Sequence, residues 1–151
     1  MRDSIDRVMP SPVSVEPTWE WISDLTQVAG AVRMLTDVQV LDPGAAYHAV
    51  LMDRVGPFRL RADLDIRVNE WAAPRRMRLS AAGEDQHVGS RIVVDGLLEV
   101  VEEGTGAAVR LSGTYEVTGT VASMGGGTIR KKVDAMLDDL ARGLGRLGAQ
   151  W

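Results

Sequence analysis

The segment at residues 59–69 alternates apolar and polar side chains without interruption, and this alternation constrains the fold more than any other feature. Because successive side chains of a β-strand point to opposite faces, the segment is predicted to be a strand with one buried and one solvated face. The solvated face carries charges of both signs, which favour cross-strand ion pairs. We therefore do not interpret Asp63 and Asp65 as a catalytic pair.

Two further segments predict strands of unusual length. Residues 109–121 alternate in the same way, and residues 88–101 form another long, mainly apolar stretch. At roughly 3.3 Å per residue, strands of about 12 to 14 residues would reach about 40 Å, which is too long for a flat sheet in a small domain. The sheet must therefore coil or bend, and the candidate bend or bulge positions are Gly96, Gly113 and Gly119.

Shorter strands are predicted between turn signals that contain glycine. The turns are predicted at residues 42–44, 55–57, 83–85 and 104–106, and the additional strands at residues 12–15, 38–41, 47–53 and 76–81. Residues 1–10 are polar and irregular, so we expect a flexible N-terminus there. Residues 11–151 are predicted to form a single domain.

Two helical regions are predicted. The first opens at Glu16-Pro17-Thr18, since proline at the first helical position loses no needed hydrogen bond. It is expected to break near Gly30 and to continue as a second short helix to about Met34. The second region follows Gly125-Gly126-Gly127 and is long, because apolar residues recur there at spacings of three and four. This stripe consists of Ile129, Val133, Met136, Leu137, Leu140, Leu144 and Leu147.

These elements predict an α+β fold in which a curved, seven-stranded antiparallel sheet wraps around the long C-terminal helix. The chain has only four tryptophans, two tyrosines and one phenylalanine, so few large side chains remain to fill the space under the helix. The predicted inner face of the sheet carries many small residues, namely Ala62, Ala81, Ser90, Gly96, Gly113 and Gly119. Such a shell either closes tightly on the helix or leaves an apolar cavity, which would suit a hydrophobic small molecule.

Composition excludes several classes of protein. The chain has no cysteine, which excludes disulfides, thiolate zinc sites and a cysteine nucleophile. No apolar run approaches the ~18 residues of a membrane span, and the first four residues do not lead into a signal peptide. We therefore expect a cytoplasmic protein. The formal charge of −4 argues against a nucleic-acid partner.

No motif indicates a catalytic or metal site. The glycines before the long helix lack the spacing of a phosphate-binding loop, and no serine lies in a nucleophile elbow. His48 and His87 occur in different segments without acidic residues at metal-ligand spacing. We therefore expect neither a catalytic residue nor a bound metal.

Several short motifs, taken in order, resemble a known family. Residues 18–24 (Thr-Trp-Glu-Trp-Ile-Ser-Asp) resemble the first-helix pattern of the START-related, polyketide-cyclase-like (SRPBCC) superfamily. The segments at residues 55–58, 83–85, 89–91 and 117–125 resemble the family of the carbon monoxide dehydrogenase G subunit, with agreement over roughly residues 12–148. The resemblance implies a helix-grip fold, and it strengthens the expectation of an internal cavity.

The resemblance also implies an accessory role. Similar members accompany molybdenum hydroxylases such as carbon monoxide dehydrogenase, and they are associated with membrane recruitment of the enzyme or with a lipophilic quinone. The implied partners are therefore such a hydroxylase and a bound lipid or quinone, at the inner face of the membrane. Many members carry a C-terminal extension for membrane attachment. This sequence stops at Trp151, so membrane anchoring is not expected. No catalytic residue carries over.

We interpret the chain as a non-enzymatic protein that binds a lipid- or quinone-like molecule in an internal cavity. The hydroxyl of Tyr115 is a candidate partner for a polar group of the ligand. Two alternatives stay open: an enzyme of the cyclase or hydrolase kind that uses Tyr115 or His48 as acid or base, and a docking module without a small-molecule ligand. The expected lining residues, chosen from the strand alternation and the helix stripe, are Leu60, Leu64, Met77, Leu79, Ile92, Val94, Tyr115, Met136 and Leu140.

Overall fold

The computed structural model describes residues 1–150, which form a seven-stranded antiparallel sheet in the order β1-β7-β6-β5-β4-β3-β2. The strands are β1 (Arg2–Ser11), β2 (Leu35–Asp42), β3 (Ala46–Val55), β4 (Phe58–Ala72), β5 (Arg76–Asp85), β6 (Ser90–Glu103) and β7 (Gly106–Gly119). The helices are α1 (Val15–Ile22), α2 (Leu25–Ala31), α3 (Gly126–Gly145) and α4 (Leu147–Gln150), with a 3-10 turn at Val121–Met124. The predicted fold class is confirmed. Trp151, the end of the predicted domain, lies outside the described residues.

The first strand lies earlier than predicted. Residues 1–10, expected to be flexible, belong to β1, and the strand predicted at residues 12–15 is wrong because Val15 begins α1. β1 pairs with β7 along its whole length. Its inner face is partly polar, since Asp3 and Arg7 point towards α3 and form ion pairs with it. This polar inner face hides the apolar alternation that marks the other strands.

The break between the two short helices also differs from the prediction. α1 ends at Ile22, and the carboxylate of Asp24 accepts a hydrogen bond from the backbone N–H of Thr26 at 3.0 Å, which caps α2. Gly30, the predicted break, lies inside α2. A strong N-cap at Asp24 therefore sets the boundary that the glycine was expected to set.

Several glycines predicted at turns or bulges instead permit close backbone contacts. β5 continues through Gly83 to Asp85, so the predicted turn at residues 83–85 is wrong and the chain reverses at residues 86–89. A Cβ at Gly113 would lie 2.0 Å from the carbonyl oxygen of Asp95. The β6–β7 register is unbroken across Gly96 and Gly113, so neither glycine forms a bulge in that ladder.

Helix α3 lies on the concave face of the sheet between two hydrophobic clusters. Its C-terminal half contributes Leu140 and Leu144 to a cluster that includes Trp19 of α1. Its N-terminal half contributes Ile129 to a second cluster with Tyr115 and other residues of the sheet. Between these two clusters, the middle of the helix faces space that side chains do not fill completely.

Candidate functional site

An apolar cavity of ≈ 120 Å³ lies under the N-terminal half of α3, and we call it the first cavity. The helix covers it with Ile129, Val133 and Met136, while the strands supply branched aliphatic side chains and the ring of Tyr115. The apolar lining follows from the sequence, because the inner residues of the alternating strands meet the apolar stripe of the helix.

A second cavity of ≈ 170 Å³ lies on the other side of Met136, under α2 and the C-terminal half of α3. The two cavities share three lining residues, Ile5, Val94 and Met136, which come from β1, β6 and α3. The cavities are therefore neighbouring chambers separated by three apolar side chains.

The predicted lining residues divide between the two chambers, with one exception. Leu60, Ile92, Val94, Tyr115 and Met136 line the first cavity, and Met77, Leu79, Val94, Met136 and Leu140 line the second. Leu64 lines neither, because its side chain fills the space over Gly83, where a Cβ would lie 2.8 Å from Leu64 Cδ2. Contact between these residues and a ligand stays a prediction.

Sequence reasoning missed lining residues where the predicted elements differ from the observed ones. Ile5 belongs to the strand that was not predicted, and Met34, predicted as the end of the second short helix, lies between α2 and β2. Ile5 and Met9 are four residues apart on the inner face of β1, and they are the apolar residues of that face. This weak alternation of apolar residues within the polar residues 1–10 was the signal that could have predicted β1.

Tyr115 combines an apolar wall with a polar group. It is 5% exposed, and burial, followed by the nearby carboxylate of Asp3, raises the pKa of its hydroxyl. The side chain lines the first cavity and also borders a charged groove between β1 and α3. The hydroxyl therefore stays protonated at neutral pH and is suited to donate a hydrogen bond rather than to act as a base.

The charged residues that line the first cavity, Lys132 and Asp53, form an ion pair. Lys132 Nζ lies 3.2 Å from Asp53 Oδ2, and both side chains are partly exposed. The same two residues, with Met34, also line an outer groove of ≈ 290 Å³ between α3 and β3. This pair lies where the first cavity borders the outer groove, so we call it the mouth pair.

On its opposite side, α3 is held to the sheet by more ion pairs. Arg130 pairs with Asp3, and Arg7 of β1 lies 2.6 Å from Asp138 Oδ1 and 3.7 Å from Asp134 Oδ1. The first cavity is therefore bounded by several charged contacts on the β1 side and by the mouth pair on the β3 side.

The histidines do not take part in either cavity. His48 lies on β3, with Nε2 3.7 Å from Asp63 Oδ1. The backbone N–H of His87 donates to the carboxylate of Asp85 in the β5–β6 turn. Within residues 1–150, no group of three or more potential ligands is arranged to hold a metal ion. Over the same range, no helix is both long and apolar enough to cross a membrane.

A curved antiparallel sheet closed by a long C-terminal helix defines the helix-grip fold of SRPBCC-like proteins. The chain is similar in structure to a conserved protein of Geobacillus kaustophilus, with 16% identity and a TM-score of 0.79 over 99% of this chain and 96% of that one. A protein of Thermus thermophilus matches with 18% identity and a TM-score of 0.66 over 100% of both chains. A Mycobacterium smegmatis protein matches with 12% identity and a TM-score of 0.67 over 97% and 91%.

These identities show a shared fold. In sequence, the family model of the carbon monoxide dehydrogenase G subunit (CoxG) matches residues 12–146, and the chain belongs to the CoxG family. No match was found among curated proteins.

Proposed function

We propose that the protein is a non-catalytic carrier that holds a lipid- or quinone-like molecule in the two cavities under α3. The observation that carries the proposal is the lining of these cavities, which is apolar apart from a few groups at the edge. Such a site favours apolar ligands and leaves a small number of polar groups to orient them. Only apolar atoms face the first cavity, so the polar groups available for that purpose lie at its edge, where the mouth pair also lines the outer groove.

Membership of the CoxG family supports a role beside an oxidoreductase. In the proposed role, the carrier works in the cytoplasm at the inner face of the membrane and serves a molybdenum hydroxylase such as carbon monoxide dehydrogenase. Co-purification with the large chain of such a hydroxylase would support this partner. A protein that binds an apolar ligand but never associates with such an enzyme would contradict the partner and leave the carrier function intact.

The experiment for the carrier function is native mass spectrometry of the purified protein, together with solvent extraction of any bound molecule. A matched pair of variants shows whether a bound molecule occupies the two cavities. Val94 lines both cavities, so Val94→Phe should fill them and remove bound ligand. Val93 is the next residue of β6 and points to the other face of the sheet, so Val93→Phe should bind as the wild type does.

The outcomes separate the carrier from its alternatives. Absence of ligand in extracts, together with no binding of menaquinone or of a long-chain alcohol, would contradict the carrier function. An enzyme would instead require a group that transfers protons within reach of the substrate. Tyr115 lines the first cavity with its ring, whereas His48 lines neither cavity, so turnover abolished by Tyr115→Phe would favour the enzymatic alternative.

A further inference from the structure

Each chamber is small compared with a lipid. An apolar cavity of about 150 Å³ holds one benzene molecule, so each chamber accommodates about six carbon atoms. The volumes of ≈ 120 Å³ and ≈ 170 Å³ therefore suffice for a single ring or a short chain in each chamber. A ligand of roughly a dozen carbons must occupy both chambers.

The partition between the chambers is narrow and has one adaptable member. Ile5 and Val94 are β-branched and held on strands, whereas Met136 is unbranched and projects from α3. An unbranched thioether chain with three rotatable bonds can change rotamer at low cost, whereas β-branched side chains are stiff. Met136 is therefore the side chain that can move to join the chambers.

We propose that the ligand is a flexible chain of roughly a dozen carbons that threads past Met136 into both chambers, and that Met136 sets the chain length accepted. A fused-ring molecule of the same carbon number is rigid and wider than a chain, so it does not pass between these three side chains. This inference rests on the proposed carrier function and names the class of its ligand.

The polar end of such a chain would lie at the mouth pair. Lys132 and Asp53 line both the first cavity and the outer groove, so a head group there remains partly hydrated. The ammonium donates hydrogen bonds and the carboxylate accepts them, which suits a hydroxyl, because a hydroxyl does both. Linear primary alcohols are therefore suitable probes for the test.

The test is a titration of the protein with primary alcohols of six, eight, ten and twelve carbons, followed by calorimetry. Each buried methylene contributes about 0.8 kcal/mol, which corresponds to an approximately fourfold tighter Kd per carbon. In the wild type, the affinity should keep rising with each added carbon from six to twelve carbons. 2-Naphthaleneethanol, a fused-ring alcohol with the same twelve carbons, should bind at least tenfold more weakly than dodecanol.

Variants at the partition test the role of Met136. Met136→Ile keeps the apolar character but is stiff, so the rise in affinity with chain length should stop near six carbons, whatever the affinity for hexanol itself. Met136→Ala should widen the passage and strengthen dodecanol binding several-fold. The matched control is Met124→Ile, because Met124 packs against Gly56 and lines neither cavity.

The possible failures are distinguishable. If hexanol binds but affinity does not rise beyond six carbons in the wild type, or if the fused-ring alcohol binds as tightly as dodecanol, the chain proposal is overturned and the carrier function stands. Identical chain-length profiles for Met136→Ile and the wild type would overturn the role of Met136. If no alcohol binds and the protein is folded by circular dichroism, the carrier function itself fails.

Discussion

At the scale of single residues, Asp85 holds the β5–β6 turn through its carboxylate. It is 4% exposed and accepts backbone hydrogen bonds from Arg61 at 2.7 Å, His87 at 2.9 Å and Val88 at 3.1 Å. Burial by itself raises the pKa of this carboxyl, but the three hydrogen bonds outweigh burial, and the net pKa lies below its ordinary value. Asp85 therefore ties the turn to β4 while it remains ionised.

We predict that Asp85→Asn lowers the free energy of unfolding at pH 7 by about 1–3 kcal/mol, because an amide nitrogen replaces one accepting oxygen and leaves a backbone N–H unpaired. The folded pKa is depressed, so this stability is present above the unfolded value of about 3.9 and is lost as pH falls through the folded value. The difference from the wild type should therefore shrink below about pH 4.

Urea unfolding at pH 7 and pH 3 measures this difference. Asp65→Asn is the matched control, since Asp65 is an exposed carboxylate of β4 and its removal should change stability little at either pH. A loss of the same size for both variants, or a loss for Asp85→Asn that does not depend on pH, would show that the hydrogen bonds of the ionised carboxylate are not the cause.

At the scale of elements, the crossing of α3 over α1 and α2 depends on one glycine. A Cβ at Gly143 would lie 2.6 Å from Trp21 Cη2 and 2.9 Å from the Cβ of Ala31. Neither neighbour is the flexible end of a long side chain. The absence of a side chain at this position therefore allows the two short helices to pack directly on the long one.

We predict that Gly143→Ala destabilises the protein by about 1–3 kcal/mol, because overpacking at a close helix crossing outweighs the better helix propensity of alanine. Thermal unfolding followed by circular dichroism measures the effect. Gly145→Ala is the control in the same helix, since nothing lies within 4 Å of its Cβ position. It should leave the melting temperature unchanged or raise it. Equal shifts for the two variants would refute the packing explanation.

Elements with a regular apolar period could be predicted from the sequence, and elements held by polar contacts could not. β4 and α3 were predicted because Ile66 or Leu140 must face the core wherever the neighbouring elements lie. β1 was missed because Asp3 and Arg7 occupy its inner face, and only the position of α3 gives them partners. The same limit applies to the site. The alternation of apolar and polar residues predicted which side chains lie on the inner face of the sheet. It could not predict that the side chain of Leu64 packs over Gly83 and therefore lines neither cavity, because that contact depends on tertiary packing.

At the scale of the whole molecule, ion pairs hold α3 on both of its sides. Arg130 and two aspartates of the helix pair with β1, and on the other side Lys132 forms the mouth pair with Asp53 of β3, while Asp139 pairs with Arg33 just before β2. A ligand enters such a cavity only if the helix and the sheet separate locally. The first cavity borders the outer groove between α3 and β3 at the mouth pair, so the proposed carrier should exchange its ligand there.

We predict that Lys132→Met speeds ligand release several-fold while it changes the free energy of unfolding by less than about 1 kcal/mol, because a partly exposed ion pair contributes little to stability. The rate is measured by stopped-flow dilution of protein loaded with a fluorescent polyene hydrocarbon, which has no head group that could contact Lys132. Arg130→Met is the matched control, since it removes an ion pair of the same helix on the β1 side. Release that accelerates equally in both variants would mean that the helix moves as a whole. Faster release in the control alone would place the exchange route on the β1 side, next to Tyr115.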